Sequence, residues 1–220
     1  LTAAGLSGAV VPGQGDYLFL VDSNVGFNKA DANIRRSIAY SVDLSDPEFP
    51  RATLRADYTN RAVRGLPCVQ EARYGDTYAD LTQRCYWDYW RVLAAPGSML
   101  TYLEAQEIPP GPALYEPNGW PGIVEMNTGA AGATEFGGML LVPPASSGGF
   151  VLGWDLPAAV LNPVPGGLRY TLRLVKQPGL VSLPVSLAIT PPAGCRLSTD
   201  YPAKLTLTAA QTLNVDFTCP

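Results

Sequence analysis

Glycine and proline interrupt this chain so often that long elements have little room to form. The 220 residues include 22 glycines and 21 prolines, together about a fifth of the chain, where roughly 12% is usual. Glycine weakens a helix entropically, and proline removes a backbone donor. Hydrophobic residues nevertheless make up 47%, too many for a disordered chain. Short strands joined by turns satisfy both facts.

The apolar pattern between these breaks is strand-like. Tyr17–Val21 is a continuous apolar run and reads as a buried strand. In Arg51–Asn60, Leu54, Ala56 and Tyr58 alternate with Thr53, Arg55 and Asp57, the signature of a half-buried antiparallel strand. Cys85–Leu93, Thr134–Val142 and Phe150–Leu156 read as further strands. The last sixty or so residues alternate most clearly, at Leu168–Leu174, Val181–Ile189, Lys204–Thr208 and Thr212–Cys219. Two helical segments are expected. One spans about residues 29–40, with Ile34 and Ile38 on one face, Arg35 and Arg36 on the wet side, and Ser23 or Asn28 as cap. The other is a turn or two near 78–84, capped by Asp76 or Thr77. Residues 105–133 hold few strand formers and read as a long irregular excursion, a kind of segment that often carries function. The fold class expected is mainly β: an antiparallel β-sandwich, Ig-like or jelly-roll-like, with one or two short helices. Its parts are an arm or linker at 1–15, a β-rich domain at 16–156, and sandwich strands at 157–220 that belong to the same domain or form a second lobe.

Histidine is absent. That removes Ser-His-Asp triads, Cys-His dyads and histidine metal sites. The net charge is −4 and charged residues are only 15%, so no basic stripe for nucleic acid is expected. The cysteines are Cys68, Cys85, Cys195 and Cys219. Three pairings are possible; the local ones, 68 with 85 and 195 with 219, are preferred. No closely spaced cysteine pair suggests zinc. An even cysteine count with few charges points to an oxidising compartment, so the expected location is extracellular or cell surface. No apolar stretch is long enough to span a membrane. The start at Leu1 reads as a mature or trimmed fragment, with any export signal outside it.

Several segments stand out together. Val21-Asp22-Ser23-Asn24-Val25-Gly26-Phe27-Asn28-Lys29-Ala30-Asp31 precedes the arginine pair. Arg51-Ala52-Thr53-Leu54 follows, then Arg84-Cys85-Tyr86-Trp87-Asp88-Tyr89-Trp90-Arg91-Val92 with Pro96-Gly97-Ser98, and later Lys176-Gln177-Pro178-Gly179. From about residue 17 onward the chain resembles the C-terminal region of an uncharacterised bacterial cell-envelope family, the domain of unknown function numbered four thousand and twelve. The family's usual preceding segment is missing. The resemblance implies an exported, surface-associated protein and brings no catalytic residues with it.

The candidate sites are weighed on their residues. Asp22, Asn24, Asn28 and Asp31 could offer oxygens to calcium, but the EF-hand spacing fails, and a strand-end turn accounts for them better. Trp87, Trp90, Trp120 and Trp154 could form an aromatic interface for sugars or a protein. Glu104, Glu107, Glu116, Glu125 and Glu135 gather around the irregular segment as possible hydrolytic carboxylates, with solvated surface as the default. A lysine among Lys29, Lys176 and Lys204 could form a covalent link only beside a buried acid. Gly137-Gly138 and Gly148-Gly149 read as hairpin glycines. Leu1, Leu6, Val10 and Val11 mark a possible assembly arm. The function expected is a non-enzymatic structural or self-assembling surface subunit of filament, sheath or surface-layer type, associating through strand edges and using no cofactor. The alternative is a carbohydrate-binding module for envelope glycans, built on exposed tryptophans.

Overall fold

The computed structural model describes residues 9–70, 77–113 and 118–220. In chain order the strands are β1 (Asp16–Asn24), β2 (Ile34–Asp43), β3 (Arg51–Asn60), β4 (Tyr86–Ala94), β5 (Met99–Glu104), β6 (Glu107–Ile108), β7 (Trp120–Pro121), β8 (Glu125–Thr128), β9 (Thr134–Val142), β10 (Ser146–Asp155), β11 (Leu161–Val164), β12 (Gly167–Val175), β13 (Leu183–Thr190), β14 (Arg196–Leu197), β15 (Lys204–Leu207) and β16 (Gln211–Thr218). A one-turn helix, α1 (Tyr78–Leu81), is capped by the Thr77 side chain. The larger sheet has eight strands in the order β14-β16-β12-β1-β4-β9-β8, with β11 added beside β12. The second has six, in the order β15-β13-β2-β3-β10-β5. The two enclose one apolar core running from Tyr17 to Phe217, as a sandwich does.

The β-sandwich expectation holds, with three corrections. First, the sheets are mixed. β1 pairs β12 in parallel and β13 pairs β2 in parallel. These pairings bring the C-terminal strands beside the N-terminal ones in both sheets, so residues 157–220 share the core of 16–156 and are no separate lobe. Second, the helix expected over 29–40 is absent. Only Ala30–Asn33 makes a 3-10 turn, and β2 begins at Ile34. Ile34, Ile38, Tyr40 and Val42 point inward with a period of two, and so does Arg36, whose side chain is only 6% exposed. A buried arginine in the inward series makes a strand look like a helix, because Ile34 and Ile38 alone fit both periods. Third, Gly137-Gly138 and Gly148-Gly149 lie inside β9 and β10 rather than in hairpin turns. Gly138 stands opposite Trp90 across the ladder. A Cβ there would come within 2.4 Å of the indole ring, so Gly138 is what lets Trp90 lie flat in the core.

Both preferred disulfides form. Cys68–Cys85 ties the loop after β3 to the start of β4, and Cys195–Cys219 closes the C-terminal strands. The second bridge spans 24 residues, a length for which chain entropy gives about 3 kcal/mol. A Cys195→Ser/Cys219→Ser variant is therefore expected to unfold at lower urea, with about that loss in equilibrium stability. An unchanged midpoint would mean that the bridge adds nothing to the ordered sheet.

Candidate functional site: a buried aspartate–arginine clasp and its clefts

Strand β1 carries two aspartates on its inner face, Asp16 and Asp22, and both reach across to the other sheet. Asp16 Oδ2 accepts from Tyr40 on β2 at 2.6 Å and from Tyr170 on β12 at 2.5 Å, while Oδ1 accepts the Tyr17 N–H. Burial raises the Asp16 pKa to about 6 against the pull of these hydrogen bonds.

At the other end of β1, Asp22 accepts from the Tyr58 hydroxyl at 2.6 Å and pairs with Arg36 Nε at 3.0 Å. Arg36 Nη2 donates to Asp31 at 2.6 Å, and the guanidinium lies about 6 Å over the rings of Tyr58 and Tyr86. Asp88 on β4 is fully buried, and its Oδ1 accepts the Ser23 N–H. Burial, then the neighbouring Asp22 charge, pushes the Asp88 carboxyl well above its ordinary range. Burial also raises Asp22, with Arg36 opposing. Two buried carboxyls beside one guanidinium cannot both ionise cheaply, so the environment of Asp88 favours its protonated form.

The segments singled out in the sequence converge here. Gln177 clamps the Asp22 backbone from both sides: its Oε1 accepts from Asp22 N at 2.9 Å, and its Nε2 donates to Asp22 O at 2.8 Å. Asn28 Nδ2 donates to Cys85 O, and Asn28 Oδ1 accepts the Ala30 N–H. Lys176 is 4% exposed and donates to the carbonyls of Gln177 and Leu180. It pins the Lys176–Gly179 turn from inside. Its partners are carbonyls, so the acid required for a covalent link does not face it.

Asp22, Asn24, Asn28 and Asp31 do line one cleft, of about 500 Å³. Their oxygens are already engaged. Asn24 Oδ1 holds Gly26 N, Asn28 Oδ1 holds Ala30 N, and both aspartates hold Arg36. A calcium ion there would meet a guanidinium. Among the described residues no cluster of acids, cysteines or histidines could hold a metal.

The tryptophans are a correction. Trp87, Trp90 and Trp154 are fully buried, and Trp120 is 8% exposed. Trp90 stacks on Phe150 at 3.9 Å, and Trp154 packs between Tyr40 and Phe136. Trp87 lies on the outer face of β4, but Ile108, Ala113 and Trp120 from the irregular segment cover it. That segment serves as a lid on a small second core, so the four indoles offer no exposed platform. Of the glutamates only Glu125 and Glu135 come together: they are diagonal neighbours on β8 and β9, and both act on Tyr89, whose hydroxyl donates to Glu125. Glu104 and Glu107 lie exposed at and just after the end of β5, and Glu116 falls outside the described residues. Of the assembly arm, Val10 packs half-buried against the core and Val11 is exposed, while Leu1 and Leu6 fall outside the described residues.

Sequence reading missed Asp16 and the role of Arg36. The available signal was an acid or base falling on the inward register of an otherwise apolar alternation.

No family model matches the chain, and no curated protein matches it. A crystal structure of a Legionella pneumophila protein named for nutrient binding superposes with a TM-score of 0.41 at 7% identity, covering 93% of this chain and 70% of that one. A likeness this distant says nothing of function. Among the described residues no helix is long and apolar enough to cross a membrane.

Proposed function

We propose that the protein is a non-enzymatic extracellular structural module that associates with copies of itself through the open edge of its six-stranded sheet. The observation that carries this reading is the asymmetry of that sheet's two edges. β15 is short, begins with Lys204 and follows Pro202, features that protect an edge from pairing. β5 is six residues long and contains no lysine, arginine or proline. Met99 is 59% exposed and Tyr102 is 49% exposed along it. Two β5 edges meeting antiparallel about a twofold axis would form a self-complementary contact. The disulfides, the low charge and the cell-envelope resemblance also support an exported role.

The test is light scattering across a concentration series, with negative-stain microscopy, on the parent and on Met99→Lys/Tyr102→Lys. The parent should form dimers or larger regular assemblies, and the variant should stay monomeric with its melting temperature little changed. A parent that remains monomeric at every concentration would overturn the reading.

A further inference from the structure

A second cleft adjoins the first and shares Asp31, Ala32, Arg36, Gly179 and Leu180 with it. Its floor is the outer face of β2 and β3, where alternation places Arg35, Ser37, Asp57, Thr59 and Arg61 on one side. Its wall is the segment Leu180–Ser182. The volume is about 760 Å³, within the range of small-molecule sites and far beyond a bare ion.

The charges in this cleft are unevenly matched. Asp31 is held by Arg36 and Asp57 by Arg55. Arg35 and Arg61 have no ion-pair partner among the described residues, and Arg35 gives one donor to its own Ile34 carbonyl. In register, Arg35 faces Thr59, so Arg61 is its diagonal neighbour just past the end of β3. On a chain of net charge −4, two free guanidinia over one cleft form a local cationic site. Guanidinium forks match planar oxyanions bidentately. Around them stand the hydroxyls of Ser37, Thr59 and Ser182, with Leu180 and Val181 as an apolar border. Val181 is 91% exposed, which a bare anion site would not require.

We propose that this cleft binds an acidic saccharide, with Arg35 and Arg61 taking the carboxylate of a uronic acid while the hydroxyls and the Leu180–Val181 border take the sugar ring. The site is separate from the β5 edge, and its binding does not depend on self-association.

The experiment is titration calorimetry of the whole chain with trigalacturonate. Maltotriose, an Asp-Glu-Asp tripeptide and sodium sulfate serve as comparison probes, each at low and at physiological salt. Trigalacturonate should bind, and more weakly at higher salt. Arg35→Gln/Arg61→Gln should weaken it at least tenfold, with an unchanged circular dichroism spectrum, melting temperature and assembly state. Equal binding of maltotriose, or undiminished binding by the variant, would overturn the proposal. Equal binding of the tripeptide would overturn the saccharide class. Sulfate binding as tightly as trigalacturonate would reduce the site to a simple anion site and overturn it too.

Discussion

Replacing Arg36 with methionine is expected to destabilise the fold by about 3–5 kcal/mol, the usual result of removing one partner from a buried ion pair. The Arg36 and Asp22 side chains are 6% and 4% exposed. Methionine fills much of the arginine stem but leaves Asp22 facing Asp88 without a cation. Two outcomes follow from that geometry. Arg36→Met alone should unfold at markedly lower urea. Arg36→Met combined with Asp22→Asn should recover a large part of the loss, because the charge that needed compensation is gone. A double-mutant cycle measures the coupling directly. If Arg36→Met stays within about 1 kcal/mol of the parent, then protonation of the carboxyls, and not the guanidinium, neutralises the site.

The same arginine marks the limit of what could be read beforehand. Arg51–Asn60 was legible to the residue because its alternation contains no buried charge, and Thr134–Val142 because an apolar run between turn residues marks a strand buried on both faces. The local disulfides were legible because each joins cysteines within one patterned region. β2 was not, because its inward series includes Arg36. The parallel pairings of β1 with β12 and of β2 with β13 were not legible either, since nothing local encodes which distant strand lies alongside. β4 was legible as a strand from its aromatic run, Cys85–Leu93. Its outer face looked free only because residues 105–133 carry too little periodicity to reveal themselves as a cover. The segments Asp22–Asp31, Cys85–Asp88 and Lys176–Gly179 stood out as motifs behind the family resemblance, and their meeting around Asp22 explains them as one structural clasp.

Stability should rise as the pH falls from about 7.5 to about 4.5, the reverse of ordinary behaviour. No histidine is present to titrate in that interval. Asp16 does, because burial raises it to about 6, and burial moves Asp22 and Asp88 in the same direction. An acid whose pKa is higher folded than unfolded binds its proton more tightly in the native state. Its contribution is complete below the unfolded value near 4 and is lost as the pH climbs through the folded value. For Asp16 the shift of roughly two units corresponds to about 3 kcal/mol. About 2 kcal/mol of that is present at pH 4.5, because the contribution is complete only below about pH 4, and at this chain length it is a melting temperature higher by roughly 4–8 °C. Asp43, Asp80 and Asp216 act oppositely, because their hydrogen bonds lower them. Their contribution is present above the unfolded value and lost as the pH falls through the folded one, so it bears on stability mainly below about pH 4. Asp16→Asn keeps the shape and has no proton to release, so its melting temperature should vary far less between pH 4.5 and 7.5. The aspartate at this position joins both sheets through Tyr40 and Tyr170, so scanning calorimetry should report the change in the global transition. A parent protein that melts highest near pH 7.5 would mean that Asp16 is ionised in the native state, with its two tyrosine hydroxyls supplying the compensation that burial withholds.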